Sequence, residues 1–244
     1  MFYLLFCLIL QIIRGEYNNA FLCILSLILF TIPFFIQRRF KIELPNLLET
    51  IIFFFIFSAE ILGEINNFYG LIPYWDTMLH TINGFLAAGI GFGLVDLLNE
   101  NSNKIKLSPV FLALVSFCFS MTIGVVWEFF EYESDRFLNL DMQKDTIANK
   151  IATVELDPNK SNKVVVIDDI QYTEIYSKDE NNNLTSTVIS NGYLDIGIDD
   201  TMGDLFVNFI GAFCFSILGY FYVINRHKYH FAGNFIPKKQ KKQV

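Results

Sequence analysis

The feature that most constrains this chain is a series of six apolar segments, several of which approach or exceed the roughly 18–20 residues that a membrane-spanning helix needs. They lie at 1–13, 20–36, 47–65, 77–98, 109–130 and 205–224. The chain is 53% hydrophobic with a mean hydropathy of +0.40, which lies above the usual range of soluble domains. Backbone groups in lipid must bond within their own segment, so each segment is expected to be a helix. The sequence predicts an all-α polytopic membrane protein with a six-helix transmembrane bundle, in which the short first segment either spans the bilayer or only dips into it.

The distribution of basic residues predicts the orientation of these segments. Short loops rich in Lys and Arg remain on the cytoplasmic side of a membrane. Such residues follow the second, fourth and sixth segments: Arg38, Arg39, Lys41, Lys104, Lys106 and the tail 226–244. We therefore expect both termini to be cytoplasmic, with the basic tail suited to anionic lipids of the inner face. Asp96, near the cytoplasmic end of the fourth segment, is expected to be a solvated helix terminus.

The long stretch between the fifth and sixth segments has a different character. Between Glu131 and Asp204 the sequence has 16 acidic and 6 basic residues. The stretches KVVVIDDIQYTEIY and LTSTVIS are rich in β-branched residues, which favours strands. We expect a small β-rich module outside the membrane, and its acidity argues against nucleic acid as a partner. The predicted division is 1–135 for transmembrane helices one to five, 136–199 for the extracytoplasmic acidic insert, 200–225 for helix six and 226–244 for the cytoplasmic tail.

Polar residues on four of the segments are predicted to converge at the outer leaflet. In the predicted topology the third and fifth segments run outward, and the fourth and sixth run inward. Within each segment the polar residues are mostly three or four positions apart, which places them on one helical face. They are Glu60 and Glu64; Asp76 and His80; Glu128, Glu131 and Asp135; and Asp200, Asp204 and Asn208. Small residues at four-residue spacings, Gly84 with Ala88 and Gly89 with Gly93, suggest that the fourth segment is central in the bundle.

Crowded carboxylates in a poorly solvated place must take up protons or bind a cation, because a charge deep in a bilayer costs about 2.5–3.5 kcal/mol. An imidazole with several carboxylates suits Mg²⁺, Mn²⁺, Ca²⁺, iron or Zn²⁺. We predict a divalent metal ion held by Asp76, His80, Glu128, Asp200 and Asp204, with Glu131 as general base and Glu60, Glu64, Asp135 and Asn208 as supporting polar residues. Taken singly, each acid also fits an ordinary helix end, as Asp76 would if it only interacted with the helix dipole, which is worth about 0.3–1 kcal/mol. No glycine-rich phosphate loop or other organic cofactor motif is present.

Three segments carry a resemblance to a known family. WDTMLHTINGF, VWEFFEY and DDTMGDLFVNFIGA resemble the signature segments of the YjdF-like bacterial inner-membrane proteins. The matching residues are Asp76, His80 and Gly84; Glu128 and Glu131; and Asp200, Asp204, Gly211 and Ala212. The same order of polar positions is more distantly similar to VanZ-like membrane proteins. The resemblance covers 47–135 and 195–224, departs from the short family members in the insert at 136–194, and implies a bacterial plasma-membrane location without a settled activity.

Three functions fit these observations. The first is a metal-dependent enzyme acting on a lipid or lipid-linked substrate at the outer leaflet, although no nucleophile motif supports a covalent mechanism. The second is an assembly or partner-binding protein in which the metal only ties helices together. The third, a cation or proton transporter, is disfavoured because the inner stretches AAGIGFGLV, VFLALVSF and GAFCFSILGYF contain no ionisable residue.

Overall fold

The computed structural model describes residues 2–100 and 106–239, so Lys104 and the tail residues 240–244 lie outside the described part. Its helices are α1 (Phe2–Arg14), α2 (Tyr17–Phe40), α3 (Asn46–Ile56), α4 (Phe68–Leu71), α5 (Trp75–Glu100), α6 (Pro109–Leu138) and α7 (Ile198–Ile224). A π-helix (Phe57–Ile65) continues α3, and a 3₁₀ helix (His230–Asn234) follows α7. By length and composition, α2, α5, α6 and α7 are candidate membrane spans. The membrane character predicted from sequence is confirmed to this extent, while the six-span bundle stays a prediction.

Small antiparallel sheets accompany the helices. The strands are β1 (Ile42–Glu43), β2 (Ile147–Ala148), β3 (Ile151–Thr153), β4 (Val165–Ile167), β5 (Tyr172–Lys178), β6 (Leu184–Ser190), β7 (Tyr193–Leu194) and β8 (Lys238–Lys239). They pair as β1–β8, β2–β7, β3–β4 and β5–β6. Strands β2 to β7 all lie between α6 and α7 in the sequence, and β4, β5 and β6 overlap the two stretches whose β-branched residues favoured strands.

The chain divides into two compact units, Met1–Phe130 with Gly203–Val244, and Glu131–Met202. In the first unit, α5 and α7 pack with their backbones in contact. A Cβ atom added at Gly84 would clash with the backbone carbonyl of Asn208, and one at Gly211 would clash with that of Thr81. Only glycine permits this approach, as the small-residue pattern of the fourth segment suggested.

Helix α6 is joined to α5 by two buried hydroxyls. The Oγ atoms of Ser116 and Ser120 donate hydrogen bonds of 2.7 Å to the carbonyl oxygens of Ala88 and Gly84. Hydrogen bonds between helices of this kind are a common source of stability where the surroundings are apolar. Together with the glycine contacts, they place α5 between α6 and α7.

The segment after α7 folds back onto the same unit. Phe235 and Ile236 are buried, a Cβ atom at Gly93 would clash with Pro237, and β8 pairs with β1. The described part of the predicted basic tail therefore packs against α5 and the loop after α2. Sequence reasoning did not anticipate this contact.

The expectation that Asp96 is a solvated helix terminus is wrong. Asp96 is 3% exposed, and Nη2 of Arg226 donates to its two carboxylate oxygens at 2.8 and 2.9 Å. The same guanidinium lies over the Tyr222 ring, 4.9 Å from its centroid. A buried carboxylate needs a partner of this kind to offset its lost hydration.

In the second unit, a single aspartate organises the loop between β3 and β4. The carboxylate of Asp157 accepts hydrogen bonds from the Ser161 hydroxyl and from the backbone N–H groups of Asn159, Ser161 and Lys163, at 2.6 to 3.2 Å. The hydrogen bond from the Ser161 hydroxyl, followed by that from the Lys163 N–H, holds the pKa of Asp157 below its ordinary value. The loop is thus closed by donors to an ionised carboxylate.

Candidate functional site

Helix α5 presents Asp76 and His80 on one face. Asp76 lies in the first turn of α5, where the positive end of the helix dipole favours an acid, and His80 follows one turn later. Oδ1 of Asp76 is 3.5 Å from Nε2 of His80. The four-residue spacing that the sequence shows therefore produces a real contact between the two side chains.

The neighbouring helices bring two further carboxylates to the same imidazole. Oδ2 of Asp204, on α7, is 3.6 Å from Nε2 of His80, and Oε1 of Glu128, on α6, is 3.8 Å from Nδ1. Of the four segments predicted to converge, the structure brings three together at this imidazole, through these four residues. This convergence depends on the glycine contacts between α5 and α7 and on the serine bonds between α5 and α6.

The distances around Nε2 are longer than direct hydrogen bonds and suit a shared cation. Hydrogen bonds between nitrogen and oxygen span about 2.7–3.2 Å, whereas ligands at the corners of a tetrahedron about 2.1 Å from Zn²⁺ are about 3.4 Å apart. Within the described residues, Asp76, His80 and Asp204 form a group whose possible ligand atoms all lie within 4.8 Å of one another. These three residues are the part of the predicted ligand set that the structure brings together.

Glu128 lies on the other side of the imidazole ring from the two aspartates. It faces Nδ1 of His80, while Asp76 and Asp204 face Nε2. A carboxylate on the second nitrogen of a metal-binding histidine orients the ring and raises its basicity. At 3.8 Å this contact is longer than a direct hydrogen bond, so a supporting position at Nδ1 and the ligand role expected from the sequence both stay predictions for Glu128.

The cluster is buried on one side and open on the other. The side chains of His80, Glu128 and Asp204 are 10%, 5% and 8% exposed, whereas that of Asp76 is 34% exposed. A water molecule or a substrate head group would therefore reach the cluster past Asp76. A low-dielectric interior with an exposed entrance strengthens electrostatic interactions at the site.

Asp135, Asp200 and Glu131 belong to the second unit. The carboxylate of Asp135 accepts from the backbone N–H groups of Met142 and Gln143 at 2.6 and 2.8 Å, and that of Asp200 accepts from the N–H of Lys144 at 2.8 Å. These two aspartates thus fix the loop that follows α6. The ligand role predicted for Asp200, the supporting role of Asp135 and the base role of Glu131 stay predictions.

Glu60 and Glu64 lie on the π-helix, whose wider turns are often found at functional sites. Glu60 is 3% exposed, and its Oε2 accepts no hydrogen bond from the residues that the structure describes. Asn208 is 1% exposed and accepts a hydrogen bond of 3.4 Å from Nδ2 of Asn83. Asn208 therefore supports the α5–α7 contact, and Glu60 is the acid whose role the fold itself does not explain.

A cavity of about 490 Å³ lies in the first unit, bordered by His80, Asn83 and Glu60 and otherwise mainly by apolar side chains of α2, α3, α5 and α6. Sequence reasoning missed both the cavity and Asn83. Asn83 follows His80 by three residues on a helix and shares its face, so its spacing was an available signal. The cavity itself arises from packing and leaves no local pattern.

One comparison with known proteins, the family model, supports the membrane character of the chain. Residues 1–225 match a family model described as "Predicted membrane protein (DUF2238)". A protein of Thermotoga maritima, described as "Uncharacterized protein", is 26% identical over 106 residues, which cover 43% of this chain. That match spans about half, 53%, of the Thermotoga protein. No solved structure shows significant similarity to the chain.

Proposed function

The chain belongs to the DUF2238 family of predicted membrane proteins, and from that premise we propose that it binds a divalent metal ion and acts on a lipid or lipid-linked substrate. The observation that carries the proposal is the placement of Nε2 of His80 between oxygens of Asp76 and Asp204, at 3.5 and 3.6 Å. The basic loops support a site at the outer leaflet of a bacterial inner membrane, with both termini cytoplasmic. The three signature segments support the narrower assignment to YjdF-like proteins.

The chemistry follows from the donor set. Two carboxylates and one imidazole bind a divalent ion through hard and borderline ligands and leave coordination positions for water or substrate. Such an ion polarises a phosphoryl or carbonyl oxygen and makes bound water more acidic. Glu128 keeps the imidazole oriented, and the exposed edge of Asp76 gives a polar head group access.

The metal is tested by elemental mass spectrometry of purified protein. We expect wild-type protein to carry a stoichiometric divalent metal and His80→Ala to lose it, because the variant removes the ligand between the two carboxylates. His227→Ala is the matched control, since His227 is exposed and lies after α7. Wild-type protein that carries no metal in several preparations would overturn the proposal.

A second candidate is a structural metal without catalysis. It is favoured by the origin of the ligands: Asp76 and His80 are on α5 and Asp204 is on α7, so a bound ion would link two helices. Structural metal sites contribute directly to folding free energy. In that case removal of the metal would lower the thermal stability of the protein and leave cellular lipids unchanged.

The two candidates are separated by the lipid profile of a strain that lacks the gene. The enzyme proposal expects a lipid to accumulate or disappear, and expects rescue by wild-type protein but not by Asp204→Asn. Glu131→Gln tests the base role predicted from sequence, and full rescue by it would show that role to be wrong. An unchanged profile in the deletion strain would favour the structural metal.

A further inference from the structure

The cavity next to His80 has the size of a ligand site rather than of a packing defect. Its volume is about 490 Å³, whereas pockets for small molecules measure roughly 300–1,000 Å³. Leu29, Ile36, Phe55, Leu86, Ile90 and Phe119 are among the side chains that form its walls. An apolar space of this size between helices of a membrane protein suits a hydrocarbon chain.

One buried polar atom at this cavity indicates that the ligand has a polar group at one end. Glu60 lines the cavity, is 3% exposed, and its Oε2 accepts no hydrogen bond from the described residues. A buried polar atom without a partner costs about 1–3 kcal/mol. A partner from a bound molecule would remove this cost.

The chemistry of Glu60 selects the kind of partner. An ionised carboxylate needs a hydrogen-bond donor, and a protonated one also offers a donor that needs an acceptor. A hydroxyl group supplies both, so it satisfies Glu60 in either state. A fatty acid would instead place a second carboxylate beside Glu60, and two close carboxylates cannot both ionise without strong repulsion.

We propose that this cavity binds a long-chain lipid alcohol, with its hydrocarbon chain between α2, α3, α5 and α6 and its hydroxyl group hydrogen-bonded to Glu60. His80 borders the cavity and also faces Asp76 and Asp204. The same cavity is therefore bordered both by Glu60 and by a residue of the metal cluster. As a substrate assignment the inference rests on the proposed function, and it names a hydroxyl-bearing lipid as the molecule that the reaction forms or consumes.

The test uses a diazirine-bearing hexadecanol with the purified full-length protein in nanodiscs of phosphatidylcholine. After illumination, labelled peptides are mapped by mass spectrometry, with unlabelled hexadecanol, hexadecane and palmitate as competitors. We expect labelling at the walls of the cavity and competition in the order hexadecanol before palmitate and hexadecane. Equal competition by hexadecane, or stronger competition by palmitate, would overturn recognition of the hydroxyl group.

Two pairs of variants test the cavity and the head group separately. Ala59→Phe places a ring at the cavity wall and is expected to abolish the labelling, whereas Ala113→Phe, on α6 and away from the cavity lining, is expected to preserve it. Glu60→Leu is expected to lower the affinity for hexadecanol about tenfold, as the loss of one hydrogen bond implies. The affinity for hexadecane should stay unchanged. Glu60→Gln, which keeps a polar group, is expected to restore most of the affinity for hexadecanol. Labelling that is the same in Ala59→Phe and Ala113→Phe would overturn the proposal.

The result is read together with the metal content, so that the two proposals fail separately. Labelled cavity peptides in protein that carries no metal would support the lipid site and overturn the metal proposal. Stoichiometric metal in protein whose cavity is not labelled would support the metal proposal and overturn the lipid site. His80→Ala, which is expected to lose the metal, should still be labelled by the probe.

Discussion

Helix α5 carries a polar cluster near each end, and the two clusters are built differently. Asp96 is paired with Arg226 at 2.8 and 2.9 Å, whereas His80 has three carboxylate oxygens at 3.5 to 3.8 Å from its ring nitrogens. His80 and Asp96 are 16 residues apart, which corresponds to about 24 Å along a helix. The clusters therefore lie near opposite ends of one candidate membrane span.

The difference between them separates a structural pair from a candidate site. At Asp96 a carboxylate and a guanidinium of opposite charge lie within hydrogen-bond distance, so the pair satisfies itself. At His80 the carboxylates outnumber the imidazole, and their distances from it exceed the hydrogen-bond range. This excess of carboxylates is the reason why we propose a cation at this end of α5.

The largest expected effect comes from breaking the pair between Asp96 and Arg226. Arg226→Ala leaves the buried carboxylate of Asp96 without its guanidinium and should lower the free energy of unfolding by about 3 kcal/mol, the cost of leaving a buried charge unpaired. Chemical unfolding in detergent measures this change, and the metal content should not change. Asp76→Ala, measured with a chelator present so that no bound metal contributes, is the control at the other end of α5, and because Asp76 is partly exposed it should cost less than about 1 kcal/mol. Equal destabilisation by the two variants would remove the distinction between the clusters.

The next prediction tests the contact between α5 and α7 that positions the carboxylates around His80. Gly211→Ala places a Cβ atom against the Thr81 carbonyl, and overpacking of this kind costs about 1–3 kcal/mol. Because the contact lies one residue from His80 along α5, metal affinity should fall as well. Gly203→Ala is the matched control, since nothing lies within 4 Å of a Cβ atom there. Undiminished metal affinity in Gly211→Ala would show that the helix contact does not set the ligand geometry.

A smaller effect is expected at the second nitrogen of His80. Glu128→Gln keeps the shape of the side chain but removes its negative charge near Nδ1 of His80, and changes to groups that support a ligating histidine lower metal affinity by about 10–100-fold. Titration against a chelating dye measures the affinity. Glu133→Gln, at an exposed position of α6, is the control. Complete loss of the metal in Glu128→Gln would instead identify Glu128 as a ligand, as the sequence predicted.

The helices and part of the site could be predicted from sequence because both depend on local patterns. Apolar runs mark α2, α5, α6 and α7, since the bilayer requires their length. Spacings of three and four residues then place Asp76 with His80 and direct Glu128 and Asp204 towards them. These patterns depend only on the periodicity of a helix, which can be read from the spacing of residues in the sequence.

What could not be predicted depends on contacts between distant residues. Asp96 and Arg226 are 130 positions apart, and no local pattern indicates that they meet. Asp135 and Asp200 have the same spacing signals as the residues around His80, but they accept hydrogen bonds from a loop. The π-helix at Glu60 could not be predicted either, because its sequence equally fits an ordinary apolar α-helix.

The smallest expected effect concerns Asp157, whose carboxylate accepts hydrogen bonds from uncharged donors only. The hydrogen bonds from the Ser161 hydroxyl and the backbone lower the pKa of Asp157 from 3.8 in the folded protein. A group with a lowered folded pKa stabilises the fold above its unfolded pKa, and this contribution is lost as the pH falls through the folded value. The loop between β3 and β4 should therefore loosen below about pH 3.8. Hydrogen exchange of the Ser161 and Lys163 amides measures the loosening, with Asp157→Asn as the control that lacks the titration. Protection that falls equally with pH in wild type and Asp157→Asn would assign the effect to another group.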